Sequence, residues 1–506
     1  MFLNLCLLFH LASVVLVLIL YGLLRILEYF LCPVDKLEPP LVRSRLPLIG
    51  HGLSLLRNGI SFYKRLRERS GLPIVTVFLG TQKVYIVHAP ELVSQVNRSP
   101  KAINATLPFL TLVCAKIFGM HGDYLEELMR KPTARGSLWR DLQGFQHASL
   151  DPKSSSAAQM TFKIANRLSD GLEACTRESC KTSVNLMDWL QTTLTLATAH
   201  GLYGADNPFA RDPTMVSSVW DMTNNIKKLA MWPWPSFTAG AATRGREKAV
   251  YALQKHLEGH GAAAEGYCEL VRNAAEIIRR HDMSIEFAAR YHIALLAAFV
   301  INTVPAAFWM IGHIASDKQL AATIQDELDQ VVESLSCGAL TVSTDRMRAQ
   351  CPILVSVCQE VLRLIGSSNS TFFVHEDVVL DGRFLLKQGS ILQVPAVAIH
   401  SNPEIWGPNA QVFKADRFLK PERVHPSANR TFGGGSTLCP GRHLALNELL
   451  LMATLLFHTY DVQLSAKTPR LPAQHMTDVL SVIRPASELL LTISRRPGME
   501  KAVWTF

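Results

Sequence analysis

The chain opens on an apolar run. Phe2 to Leu24 carries no formal charge and is rich in Leu and Val. As a helix, a stretch of that length crosses the ~30 Å of hydrocarbon in a bilayer. A cleaved secretory signal has a shorter apolar core and a small-residue site after it. Here Ala12 and Ser13 fall inside the run, so it reads as an uncleaved signal anchor. Arg25, Lys36, Arg43 and Arg45 follow it, and no positive side chain precedes it. The positive-inside rule then puts residues 32 onward in the cytoplasm, with the endoplasmic reticulum as the expected single-pass location. Pro33, Pro39, Pro40 and Pro47 make the next stretch a stiff, non-helical spacer.

Past the spacer the periodicity changes. Residues 74–88 alternate as two strands around a Gly-containing turn. A mostly helical stretch runs to about residue 340. Within it, Ile285 to Asp317 is nearly continuous and apolar, the pattern of a long buried helix. Ser284 is placed to cap its start, and Pro305 removes one backbone donor inside it and should bend it. Pro352 to Leu364 is a short apolar helix, and 372–398 breaks into short strands around Asp381-Gly382 and Gly389. Residues 430–442 form a Gly-rich loop, and 443–459 return to helix. No linker divides this stretch. The expected organisation is a membrane anchor (1–31), a proline-rich spacer (32–48) and one mainly α (α+β) domain (49–506).

Composition narrows the function classes. Hydrophobic residues are 48% and charged residues 18%, which favours a large core over disorder. A formal charge of +9 suits nucleic acid, an anionic membrane or an acidic protein. With no Lys/Arg run or aromatic-interleaved basic patch, nucleic acid ranks last. The ten cysteines form no CxxC pair, so the chain is no disulfide scaffold and suits a reducing compartment. Sequons at Asn97, Asn104, Asn369 and Asn429 go unused on the cytoplasmic side.

The strongest chemical signal is Phe432-Gly-Gly-Gly435-Ser-Thr-Leu-Cys439-Pro-Gly441-Arg442. Glycines let backbone N–H groups approach a sulfur, and a helix starting after the loop brings its positive end near a thiolate. Taken alone, the segment also suits a structural Cys beside a glycine turn. The run nevertheless resembles the cytochrome P450 haem-binding pattern F-x-x-G-x-x-x-C-x-G at every fixed position. A second motif of that family, E-x-x-R, stands as Glu360-Val-Leu-Arg363, 79 residues before Cys439. Phe413-Lys-Ala-Asp416-Arg417-Phe418 is similar to its meander. The resemblance spans residues 40 to 495. It implies a P450 fold with a long kinked central helix over the haem and small β-sheets. It implies haem b ligated by the Cys439 thiolate, with Phe432, Gly435 and Gly441 shaping the loop. It also implies that Glu360, Arg363 and Arg417 form an ion network that holds the fold beneath the cofactor.

The chain departs from the family in two places. Most members carry an acid next to a Thr on the central helix; here the matching stretch, Ala298 to Trp309, has no acid. One alignment puts Asn302 at the acid's position and Pro305 at the Thr; a slip lets Thr303 supply the hydroxyl. Asn302 reads either as a group acting on oxygen or as an amide serving the Pro305 kink. The Asn-x-x-Pro-Ala-x-Phe-Trp run resembles the branch that holds the sterol 7α- and 12α-hydroxylases and prostacyclin synthase. The second departure concerns the haem propionates. The usual W-x-x-x-R is Trp139-x-x-x-Gln143, the usual Arg before the Cys is Thr437, and no Arg follows E-x-x-R in the strand ending at His375. Trp139, Arg140, His375 and Arg442 are the candidate partners.

Two surface features complete the reading. Met231-Trp-Pro-Trp-Pro-Ser236 lies where the family dips a loop into the bilayer. Lys414, Arg417, Lys420, Arg423, Arg430 and Arg442 cluster in sequence around the Cys loop and suit an acidic electron donor. The resemblance implies a membrane-bound monooxygenase. It oxidises a lipophilic substrate (sterol, terpenoid or other polycycle) with O2 and electrons from an NADPH-dependent cytochrome P450 reductase, in a biosynthetic role. Two rivals stay open: an isomerase of a peroxide or endoperoxide needing no reductase, and a non-catalytic haem- or lipid-binding protein.

Overall fold

The computed structural model describes residues 2–176, 181–232, 234–260, 266–336, 338–419, 424–500 and 502–506. The apolar N-terminal run is one helix, Phe2–Leu31. Its window from His10 to Leu31 is only 6% buried, whereas the other long apolar helix, Ile285–Ser316, is 72% buried. The first fits a membrane span and the second is a core helix.

Residues 33–48, after this helix, are non-helical, as their prolines require, but they are not free. The Thr76 N–H donates to the Pro40 carbonyl at 2.9 Å and the Val42 N–H to the Thr76 carbonyl at 2.9 Å. Buried Glu38 accepts from Tyr85 Oη at 2.5 Å and from Lys83 Nζ. Arg25, the first positive residue after the apolar run, pairs with Glu28 at 2.6 Å and donates to the Ser44 and Arg45 carbonyls. The end of this helix is thereby tied to the segment that follows it.

The alternating segment 74–88 forms the antiparallel strands Ile74–Leu79 and Gln82–Val87. They belong to a five-stranded sheet, continued by Ile391–Pro395, Asn369–Val374 and Ile103–Asn104. Ile391–Pro395 runs parallel to Gln82–Val87 and antiparallel to Asn369–Val374. Among the described residues, three smaller sheets accompany it. The remainder is mostly helix, and the large core is built from those helices, with a smaller core under the sheet.

The central helix runs Ile285–Ser316 and stays helical through Pro305. Ser284 caps it by accepting from the Phe287 N–H at 3.1 Å. The helix Pro352–Ile365 begins with Pro at its first position, where a missing N–H is harmless. Its N-terminal donors are met from a distance: Glu327 accepts from the N–H groups of Ile353 at 2.7 Å and Leu354 at 3.0 Å. The last long helix, Arg442–Thr459, leaves directly from the glycine loop.

Candidate active site

The Cys439 loop is closed by its own backbone. The Cys439 N–H donates to the Phe432 carbonyl at 2.9 Å, Gly433 N–H to Arg430 at 3.0 Å, and Thr437 N–H to Gly434 at 3.1 Å. Two glycines have positive φ, Gly433 (74°) and Gly435 (56°). A side chain on Gly433 would also lie 2.4 Å from the Thr437 carbonyl oxygen. Only glycine makes this turn without strain. Cys439 is half-buried at the mouth of the helix Arg442–Thr459. Burial pushes its thiol up; the Gly441 N–H and the Arg442 charge pull against that. Arg442 also donates to the Cys439 carbonyl at 3.2 Å.

On the helix Pro352–Ile365, Glu360 and Arg363 are fully buried. Arg363 donates to both Glu360 oxygens, at 2.7 and 2.9 Å, and its Nη1 reaches the carbonyls of His400 (2.7 Å) and Ala410 (2.8 Å). Its guanidinium lies 5.1 Å from the Trp406 ring centroid. Arg417 adds a bond to Glu360 Oε1 at 2.9 Å and donates to the Trp406, Asn409 and Val412 carbonyls. Every charge has its partners, the condition under which such a buried network holds rather than weakens a fold.

On the central helix, Thr303 is buried and its hydroxyl donates to the Phe299 carbonyl at 2.7 Å. Asn302 is half-buried, and its amide makes no hydrogen bond to another described residue. Phe299 brings this helix to the loop: a Cβ on Gly441 would lie 3.7 Å from the Phe299 ring and 3.9 Å from Cys439 Sγ. At the helix's far end, His313 stacks on Phe413 of the meander at 4.0 Å.

The propionate candidates separate. Trp139 is buried, against Phe109 at 5.2 Å, and its indole N–H has no partner among the described residues. His375 likewise has a buried Nε2 without a partner. Arg140 is exposed on the next position of the same helix. The basic cluster divides as well. Arg417 is spent on Glu360, and Arg430 is buried, so neither belongs to a docking face as the sequence suggested. Proximity in the chain does not show which way a side chain turns. Lys414 is exposed, while Lys420 and Arg423 lie outside the described residues. In the Trp-Pro segment, Trp232 and Trp234 are exposed, as is Phe237 just beyond it; Pro233 lies outside the described residues.

Sequence reasoning assigned no role to His400 or Ser370. His400 is buried, and its Nε2 accepts from the Arg430 N–H at 2.8 Å. Ser370 Oγ meets Thr437 Oγ1 at 3.1 Å and accepts from Arg430 Nη2 at 3.1 Å. No motif marks Ser370.

Comparison with known proteins follows this geometry. The family model "Cytochrome P450" matches residues 262–492, a span that contains the central helix, the Glu360 network and the Cys439 loop. A cytochrome P450 monooxygenase of Gibberella zeae is 28% identical, covering 94% of this chain and 92% of its own. The cytochrome P450 monooxygenase nodJ of Hypoxylon pulicicidum is 26% identical over 93% and 92%. The human 7-alpha-hydroxycholest-4-en-3-one 12-alpha-hydroxylase is 23% identical over 90% and 93%.

Proposed function

The chain belongs to the cytochrome P450 monooxygenase family, and from that premise we propose a membrane-tethered enzyme that oxidises a lipophilic polycyclic metabolite, of sterol or terpenoid type, with Cys439 as the iron ligand. The observation that carries this reading is the Cys439 loop, closed by its own backbone, together with a fully paired Glu360–Arg363–Arg417 network. The residues present fit a haem. One thiol stands on an ordered loop, and buried donors without partners on Trp139 and Arg430 suit the cofactor's two carboxylates. When bound, the haem supplies oxidation of an unactivated C–H bond by dioxygen, with two electrons from an NADPH-dependent reductase.

The chain's own residues do the rest. Gly433 and Gly435 hold the turn that presents Cys439, and the Gly441 N–H and Arg442 favour its thiolate. Arg363 and Arg417 fix the meander to the helix below it. Asn302 offers an amide able to donate and accept hydrogen bonds and so to position a water that delivers a proton, whereas the Thr303 hydroxyl donates its hydrogen bond to the Phe299 carbonyl. The exposed Trp232, Trp234 and Phe237 suit a bilayer surface, where Trp is favoured, so that a lipophilic substrate enters from the lipid. The similarity to a 7-alpha-hydroxycholest-4-en-3-one 12-alpha-hydroxylase supports the substrate class.

One observation favours a second reading. After Glu286 the central helix carries no carboxylate, so an isomerase of a peroxide, which needs no proton relay to dioxygen, uses the same scaffold. The test is a reduced, carbon monoxide difference spectrum, followed by turnover of a sterol and terpenoid panel with and without reductase. A long-wavelength Soret band and reductase-dependent product are expected. Reductase-independent rearrangement of a peroxide supports the isomerase; a band of neutral ligation overturns thiolate ligation by Cys439.

A further inference from the structure

Arg430 is 2% exposed, yet no carboxylate of the described residues pairs with it. It contrasts with Arg363, equally buried but bonded twice to Glu360. The Arg430 Nε has no hydrogen-bond partner among the described residues. Its Nη2 donates to Ser370 Oγ at 3.1 Å, and Ser370 in turn meets the Thr437 hydroxyl at 3.1 Å. Its Nη1 lies against the Cys439 loop, 2.3 Å from where a Cβ on Gly434 would stand. Glycine at 434 thus makes the room that the guanidinium occupies.

The backbone at 430 is pinned as firmly. The Arg430 N–H donates to His400 Nε2 at 2.8 Å, and its carbonyl accepts from Gly433 N–H at 3.0 Å and Ser368 Oγ at 3.2 Å. Burial and the Arg363 charge push the His400 imidazole down to about 3, so the ring stays neutral and accepts. Burial also pulls the Arg430 guanidinium down to about 10, which leaves it charged at neutral pH. A buried guanidinium without an anion is strongly unfavourable. The surrounding hydrogen bonds nevertheless hold it beside the loop.

That position coincides with a gap in the chain. Thr437 stands where the family's arginine precedes the cysteine, and Gln143 where W-x-x-x-R has its arginine. Arg430 reaches the Thr437 hydroxyl through one shared serine. We propose that Arg430 is the cationic partner of a haem propionate, reaching from the start of the glycine loop to supply the charge missing at Thr437 and Gln143. Gly434 is then a positioning residue that admits the guanidinium, and Ser370 a positioning residue that aims it. This inference rests on the haem-thiolate reading.

The experiment uses the full-length, haem-loaded protein in lipid nanodiscs. Haem transfer to apomyoglobin and the ferric/ferrous midpoint potential are measured for the wild type, Arg430→Met and Arg430→Met/Thr437→Arg. Loss of one charge-assisted hydrogen bond should speed haem loss roughly tenfold or more. The midpoint should fall, because a positive charge beside the iron favours the reduced state. The double variant, which returns a cation near the same carboxylate, should recover both. Wild-type haem retention and midpoint in Arg430→Met overturn the proposal, as does a double variant no better than the single one. If Arg430→Met does not fold, Gly434→Ala crowds the guanidinium without removing it; unchanged retention and midpoint there overturn the proposal equally. A wild type without a thiolate-type carbon monoxide band sinks the haem reading itself, a failure visible before any variant is compared.

Discussion

Arg417 donates from Nε to Oε1 of Glu360 at 2.9 Å, bridging 57 residues of sequence. The same oxygen accepts from the Lys414 N–H at 3.2 Å and from Arg363. One carboxylate therefore gathers a helix and the meander that leads to the Cys439 loop. Removing it leaves two guanidiniums without their anion, one of them fully buried. Glu360→Gln is expected to destabilise the fold by about 3–5 kcal/mol. It should lower haem content in parallel, read by thermal melting and by haem-to-protein ratio. A Glu360→Gln protein with wild-type melting and full haem would remove the structural role assigned to this network.

The two polar candidates on the central helix should behave differently. Thr303 donates its proton to the Phe299 carbonyl, a local bond that leaves only its lone pairs free. The Asn302 amide has no such commitment. With a turnover substrate, Asn302→Ala is expected to reduce product formed per NADPH consumed several-fold, while Thr303→Val stays within about twofold. The check is product against NADPH, with peroxide release followed in the same reaction. The reverse ranking would give the proton-handling role to Thr303.

Glu448, on the helix that leaves the Cys439 loop, is 1% exposed, and burial raises its carboxyl to about 8. Between its ordinary 4.5 and about 8 the folded chain keeps a proton that the unfolded chain has released. Stability is therefore expected to fall as pH rises through that window. Glu448→Gln, neutral at every pH, should flatten this part of the profile. Melting temperatures of wild type and variant between pH 5 and 8 provide the check; parallel curves would show that Glu448 is not the group responsible.

Exposed Trp232, Trp234 and Phe237 form an apolar group on one short segment. If this segment rests in the interface, brominated lipids should quench part of the protein's tryptophan fluorescence in nanodiscs. The Trp232→Phe/Trp234→Phe variant should lose that quenched fraction and keep the rest. Equal quenching in the variant would place these two residues in water.

Much of this protein is determined by local sequence, because the relevant physics is local. The charge-free run from Phe2 is a helix, and alternation at 74–88 is a hairpin. Ser284 caps the central helix through a bond three residues away. The glycines of the Cys439 loop follow local physics, since positive φ at Gly433 and Gly435 favours glycine, but the loop's chemistry was legible only through its resemblance to a family pattern. Glu360, Arg363 and Arg417 were recognisable by family pattern, though nothing in their spacing shows that one carboxylate serves both cations. What only the tertiary structure decided depends on which way a side chain turns. Arg430 and Lys414 look alike in sequence, but packing buries the first against Gly434 and leaves the second in solvent. Glu327 caps a helix whose own N-cap residue, Cys351, does not. His400 and Ser370 enter the site through bonds to residues 30 and 60 positions away. Such contacts pair donors with acceptors wherever burial leaves them without water, and that matching is settled only when the whole chain has closed around them.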